Sequence, residues 1–234
     1  MVHALDIATF ESTLVRFCSP TLAGIKPSAL FTYSDVYACA PDADPRERQT
    51  VQKRREALLQ LIEECSAKMS AARIEVRVLV WRACGALIYV YRPAALRAYL
   101  LDPLASMPLA REGYDPDDLE SSIARLAVRI AQAGSSHAEC ALENVPRTAS
   151  GQDVCSGSCS CTFPHEMGFF LGYPYEDVLG FIEHEGRDCL AVGPWKVYAH
   201  LDRALATFKR FRRCTQTYTH IYRHGCGIET LARA

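Results

Sequence analysis

Between Arg73 and Tyr91 the sequence changes period, and that change narrows the folds open to the chain more than any other feature. From Arg73 to Trp81 (Arg-Ile-Glu-Val-Arg-Val-Leu-Val-Trp) polar and apolar residues alternate, which in a strand puts Ile74, Val76, Val78 and Val80 on one face. Ala86 to Tyr91 then forms the hairpin partner across Arg82-Ala83-Cys84-Gly85. On either side the spacing is helical. Ile7, Phe10, Leu14 and Phe17 recur at helical intervals until Cys18-Ser19-Pro20, which is expected to stop that helix. Arg46 to Met69 reads as a long charged helix with Val51, Leu58, Leu59 and Ile62 on its apolar side. Further helices are expected from Pro93 to about Leu101 and from Asp115 to Ala133, and two short ones open at Pro164 and Pro174, each with a glutamate two residues later. A last helix runs from Asp202 to His224 and closes at Gly225. With strands near 30–34, 73–81, 86–91 and 195–199, the pattern predicts an α+β fold: a small, mainly antiparallel sheet packed with about seven helices. A single domain over 1–234 is expected, with a flexible Ser/Gly/Cys-rich loop at about 134–162.

Charge and cysteine usage bound the function classes. A net charge of -1 removes the global electrostatic case for a nucleic-acid or membrane-surface protein. The longest apolar or small run, Ala83 to Tyr91, is nine residues, about half of a membrane-spanning helix, so no membrane span is expected. The first residues, Met1-Val2-His3-Ala4-Leu5-Asp6, lack a basic stretch followed by an apolar one, and the expected location is the cytoplasm. There the eleven cysteines are thiols, several of them simply small buried hydrophobes, as expected of Cys65 and Cys84.

One segment is too particular to be generic: Phe163-Pro164-His165-Glu166-Met167-Gly168-Phe169-Phe170-Leu171-Gly172-Tyr173-Pro174-Tyr175-Glu176-Asp177-Val178-Leu179-Gly180-Phe181-Ile182. Three other stretches share its character. They are Cys18-Ser19-Pro20-Thr21-Leu22-Ala23-Gly24-Ile25-Lys26-Pro27, Cys189 leading into Gly193-Pro194-Trp195-Lys196-Val197-Tyr198, and Arg213-Cys214-Thr215. Together they resemble an uncharacterised bacterial family, a domain of unknown function known mainly from anaerobes, over nearly the whole chain. The resemblance implies no reaction. It also implies a shorter join before Phe163, so the loop bearing Cys155, Cys159 and Cys161 is a local departure from the family pattern.

The same segment matches the spacing of a helix-turn-helix, with Gly168 at the small position and Gly172 at the turn. Its charge argues against DNA: from His165 to Asp188 there are six acids and one arginine, and phosphates would repel them. His165-Glu166 fails as a zinc-hydrolase motif because the second histidine position is Phe169. Both residues suit a helix start, and the alternative for His165 is a ligand-facing or acid–base role.

Other candidates are weighed in the same way. Cys155, Cys159 and Cys161, with His165, offer ligands for a transition metal or redox cofactor, at a spacing unlike zinc ribbons or common iron–sulfur runs. His220 and His224 lie one helical turn apart and form a metal pair or, alternatively, cap a helix C-terminus. Lys209, Arg210, Arg212 and Arg213 form an anion or acidic-partner patch or a solvated helix face. Cys18, Cys189, Lys26 and Lys196 sit in the family-like stretches, where thiols and amines serve either chemistry or structure. Two classes follow. One is an accessory or interaction protein of anaerobic metabolism, meeting a protein partner or small molecule through Glu176 and Asp177 on the acidic hairpin and the basic helix. The other is a metal- or cofactor-handling redox protein or enzyme in which Cys18, His165 and Cys189 converge on a pocket.

Overall fold

The computed structural model of the chain describes residues 6–140 and 164–232. Helix α1 (Ile7–Leu22) leads into β1 (Ser28–Tyr33), α2 (Pro45–Lys68), one 3-10 turn, and the hairpin β2 (Glu75–Arg82) and β3 (Gly85–Tyr91). Helices α3 (Pro93–Leu100), α4 (Pro103–Arg111) and α5 (Leu119–Cys140) follow. After residue 163 come the one-turn α6 (Met167–Phe170), α7 (Tyr175–Glu183), the short strands β4 (Ala191–Val192) and β5 (Lys196–Val197), α8 (Leu201–Arg223) and α9 (Ile228–Leu231). The α+β class is therefore as expected.

The central strand is β3, flanked antiparallel by β1 and β2. Every one of its residues is buried, because helices cover both faces of the sheet. Ala86, Ile88 and Val90 point into a core with Phe10, Leu14 and Leu22 of α1 and Leu58 and Ile62 of α2. Leu87, Tyr89 and Tyr91 point into a second core with Leu96, Leu109, Ile123 and Phe170 from α3 to α6. This double burial explains why β3 reads as a continuous apolar run and not as an alternation.

Several expectations need correction. A bulge between Val78 and Val80 places both Leu79 and Val80 in the second core, so Val80 is not on the face of Ile74 and Val76. Strand β5 does not join the main sheet; it pairs with β4 in a separate ribbon. Helix α5 runs through Cys140, so the first part of the expected 134–162 loop is helical, and Cys155, Cys159 and Cys161 lie outside the described residues. Helix α4 was not expected. Its start is nonetheless written in the chain, where Asp102 accepts a bond from Leu104 N (2.9 Å) and Pro103 opens the first turn.

Pro20 does not end α1, which continues to Leu22. The carbonyl of Pro20 accepts from the backbone N–H groups of Ile25 (2.8 Å) and Lys26 (3.1 Å), folding the exit loop back on the helix. Arg92, just after β3, completes this end: its Nε donates to Thr21 O and its Nη2 to Leu22 O, both at 2.8 Å, while its backbone N–H donates to Pro27 O, also at 2.8 Å. The loop carrying Lys26 thus hangs from the central strand. Lysine cannot reproduce this fork. Arg92→Lys is expected to lower stability by about 1–3 kcal/mol, seen as a lower urea midpoint with an unchanged slope.

Candidate functional site

The cleft is built outward from one buried carboxylate. Asp177, on the first turn of α7, is 3% exposed. Its Oδ1 accepts from the backbone N–H groups of Tyr198 (2.7 Å) and Ala199 (2.9 Å), and its Oδ2 accepts from Trp195 Nε1 (2.6 Å). These bonds fix the indole ring and the point where α8 begins. Trp195 in turn stacks on Tyr173 (ring centroids 5.2 Å apart) and meets the edge of Phe208 at 4.5 Å. Tyr173 is held from behind, where its carbonyl accepts from the Tyr99 hydroxyl and Tyr99 stacks on Tyr175 at 4.5 Å.

A second contact brings Lys26 to the same place. Gly172, in the turn between α6 and α7, has φ +64°, and a Cβ there would lie 2.2 Å from Pro27 Cγ. Only glycine permits this approach. It seats the turn on the Lys26-Pro27 loop, and Lys26 Nζ comes to rest 4.8 Å from the centre of the Tyr173 ring.

These residues enclose a cavity of about 470 Å³, lined by Lys26, Tyr173, Trp195 and Glu176 and, from α8, by Arg203 and Arg210. The volume falls within the usual range for small-molecule sites. Arg203 and Arg210 stand two turns apart on one face of α8. Among the described residues no carboxylate forms an ion pair with Lys26, Arg203 or Arg210. Asp177 is engaged by its three N–H donors, which leaves the exposed Glu176 as the counter-charge in the lining. Trp195, Tyr173 and Asp177 also border a smaller cavity of about 250 Å³, lined by His165, Met167, Phe181 and Lys196. There Lys196 Nζ donates to Gly186 O (2.7 Å) and His165 tilts against Phe181.

Burial dominates the titration of Lys26 and lowers its amine to about 8. The neighbouring Cys18 opposes this only in part, and burial raises its own thiol well above the usual range. Burial likewise pushes the Tyr173 phenol up to about 12.

The sequence candidates fall into distinct groups. Lys26, Glu176 and Arg210 meet at the cleft. Asp177 serves it from within and, being buried, is no docking residue. Cys18 is fully buried in the first core, His165 lines the smaller cavity, and Cys189 lines neither, so the expected convergence of these three does not occur. Glu166 is buried and structural: its Oε1 accepts from Tyr114 OH and pairs with Arg129 Nε, both at 2.8 Å. Exposed His220 and His224 pack ring to ring at 4.1 Å, with a 2.8 Å contact between His224 Nδ1 and His220 O, the arrangement of a helix end. Among the described residues no group of three or more His, Cys, Asp or Glu side chains could hold a metal ion. Lys209, Arg212 and Arg213 are exposed on α8. Sequence reasoning missed Tyr173, Trp195 and Arg203 as site residues. The seven-residue interval from Arg203 to Arg210 was the available signal for the last.

Sheet, helices and cleft define an α+β protein with a cation-lined, aromatic-walled cleft. The chain belongs to the family described as "Protein of unknown function (DUF3793)", whose model matches residues 14–232. No curated protein and no solved structure matches the chain. Among the described residues no helix is long and apolar enough to cross a membrane.

Two outcomes follow from the geometry. Asp177→Asn, although isosteric, turns an amide N–H₂ toward N–H donors and should cost about 2–4 kcal/mol, measured by thermal or urea unfolding. For Lys26 the sign runs the other way. The folded amine has released its proton between about pH 8 and the ordinary lysine value near 10.5, where the unfolded chain still holds it. Stability therefore rises with pH through that window, and the penalty is complete at pH 7. Lys26→Met should raise the melting temperature at pH 7 by roughly 2–6 °C, with the gain shrinking toward pH 10.

Proposed function

We propose that the protein binds a small anionic molecule with a planar portion in the cleft between Tyr173, Trp195 and α8. One observation carries this reading: three cationic side chains, Lys26, Arg203 and Arg210, line one cavity of ligand size without a carboxylate partner among the described residues. Lys26 is half-buried and unpaired, a cost that an arriving anion relieves, while Arg203 and Arg210 offer exposed guanidinium groups from α8 to the same cavity. Arginine suits the fork geometry of a carboxylate or phosphate, and the faces of Tyr173 and Trp195 suit a flat ring. The cleft also gathers residues from three of the stretches that carry the family resemblance, Ile25-Lys26, Gly172 to Asp177, and Trp195.

A second reading, an accessory protein that docks an acidic partner, is supported by the exposed Lys209, Arg212 and Arg213 on α8. These face solvent beside the cleft and would extend it for a larger ligand. The redox and metal reading has less support, since among the described residues Cys18 and Cys189 do not share a cavity with His165.

Trp195 is a built-in reporter. With Trp81 replaced by Phe, its emission should respond to planar carboxylates or phosphate monoesters and not to their neutral analogues. Arg203→Gln with Arg210→Gln should weaken that response by about tenfold or more. Affinity should also fall as pH rises through about 8, where Lys26 loses its charge. If no anion in such a panel shifts the emission or the melting temperature, the reading fails.

A further inference from the structure

We infer that Lys26 is a covalent attachment point, whose amine condenses with the carbonyl of an aldehyde or ketone held through its anionic group by Arg203 and Arg210. This rests on the reading of the cleft as an anion site and adds a chemical identity to the ligand. A lysine that only supplied positive charge would be expected to pair with a carboxylate or point to water. Lys26 does neither. Its side chain is half-buried, its Nζ lies over the Tyr173 ring, and it makes no ion pair among the described residues. The backbone beneath it is fixed on both sides, by the Lys26 N–H on Pro20 O and by Arg92 on Pro27 O, so the amine is presented and not merely tethered. Two guanidinium groups line the same cavity. Desolvation is a setting in which a lysine becomes a nucleophile near neutral pH, and burial is what lowers the titration of Lys26.

The step balances without an oxidant, reductant or other co-reactant. The protonated amine first releases one proton to solvent, and the free Nζ lone pair attacks the carbonyl carbon while one N–H proton passes to the carbonyl oxygen, giving a carbinolamine. Loss of its hydroxyl as water, with the second amine proton, leaves a C=N bond to Nζ. Protonation of that imine restores positive charge over the Tyr173 face. Arginine at position 26 would keep the charge and lose this chemistry, which separates the two roles of the residue.

Pyridoxal 5′-phosphate, a flat aldehyde bearing a phosphate, is the probe. Mixed with the full chain it should give the absorbance band of an imine. After borohydride reduction, mass spectrometry should show one adduct per chain at Lys26, at concentrations that leave the exposed Lys53 and Lys209 unlabelled. Lys26→Arg should abolish the adduct while retaining the wild-type circular dichroism spectrum. Arg203→Gln with Arg210→Gln, or pyridoxal without its phosphate, should require about tenfold more reagent or greater. Labelling spread evenly over Lys26, Lys53 and Lys209, or no adduct, overturns the inference. Pyridoxine 5′-phosphate, with an alcohol in place of the aldehyde, separates this failure from failure of the anion site. If it binds wild type and not the double arginine variant while no imine forms at Lys26, attachment fails and anion binding stands. If it does not bind either protein, both fail.

Discussion

A single carboxylate organises the cleft side of this molecule. Asp177 satisfies the indole N–H of Trp195 and two successive backbone N–H groups, and thereby joins α7, β5 and the entrance to α8 at one buried point. Charge-assisted bonds of this kind are stronger than neutral ones, and in a buried setting their loss leaves donors without partners. The position of Trp195 decides where the wall between the two cavities stands. The start of α8 decides which way Arg203 and Arg210 face. Both are therefore set by a residue whose side chain is itself hidden from any ligand.

The lysine side of the cleft depends on a different kind of contact. Arg92 closes the end of α1 with bonds to two helix carbonyls, and Gly172 lets the α6–α7 turn rest on Pro27. Neither contact is large. Each acts over a long stretch of sequence, so that Lys26 and Tyr173, far apart along the chain, become neighbours. The arrangement keeps a cation in a place where burial disfavours it.

Much of the fold was legible in the sequence, because its strongest signals are local. The alternation through Val76 and Val78, the long stripe of α2 and the proline-opened α3 each follow from periodicity and caps. Local reasoning failed where tertiary contacts override it. Pro20 should end a helix, yet its carbonyl is used by the exit loop and the last turn is buried and capped by Arg92, so α1 continues. Val80 should follow Val78, but a bulge that only pairing with β3 defines turns it away. The site was legible in part. Lys26, Arg210 and Asp177 were visible as charged residues within distinctive stretches, whereas the roles of Tyr173 and Trp195 could not be seen. An aromatic side chain in sequence looks the same whether it fills a core or walls a cleft. The thiols misled for a related reason: Cys18 looks reactive as a letter and is inert once buried.

The bulge has one more consequence, for what lies outside the molecule. A three-stranded sheet whose central strand is apolar on both faces risks lateral growth if a second chain pairs with its open side. Strand β2 forms one such border, and it is poorly suited to extension. The extra residue at Leu79 breaks the even spacing of free backbone groups, and Arg77, paired with both Glu75 and Glu120 of α5, hangs charge over the strand's first half. A neighbouring chain finds no continuous ladder there to copy, so the irregularity that confuses the sequence pattern also helps to keep the protein from polymerising through its own sheet.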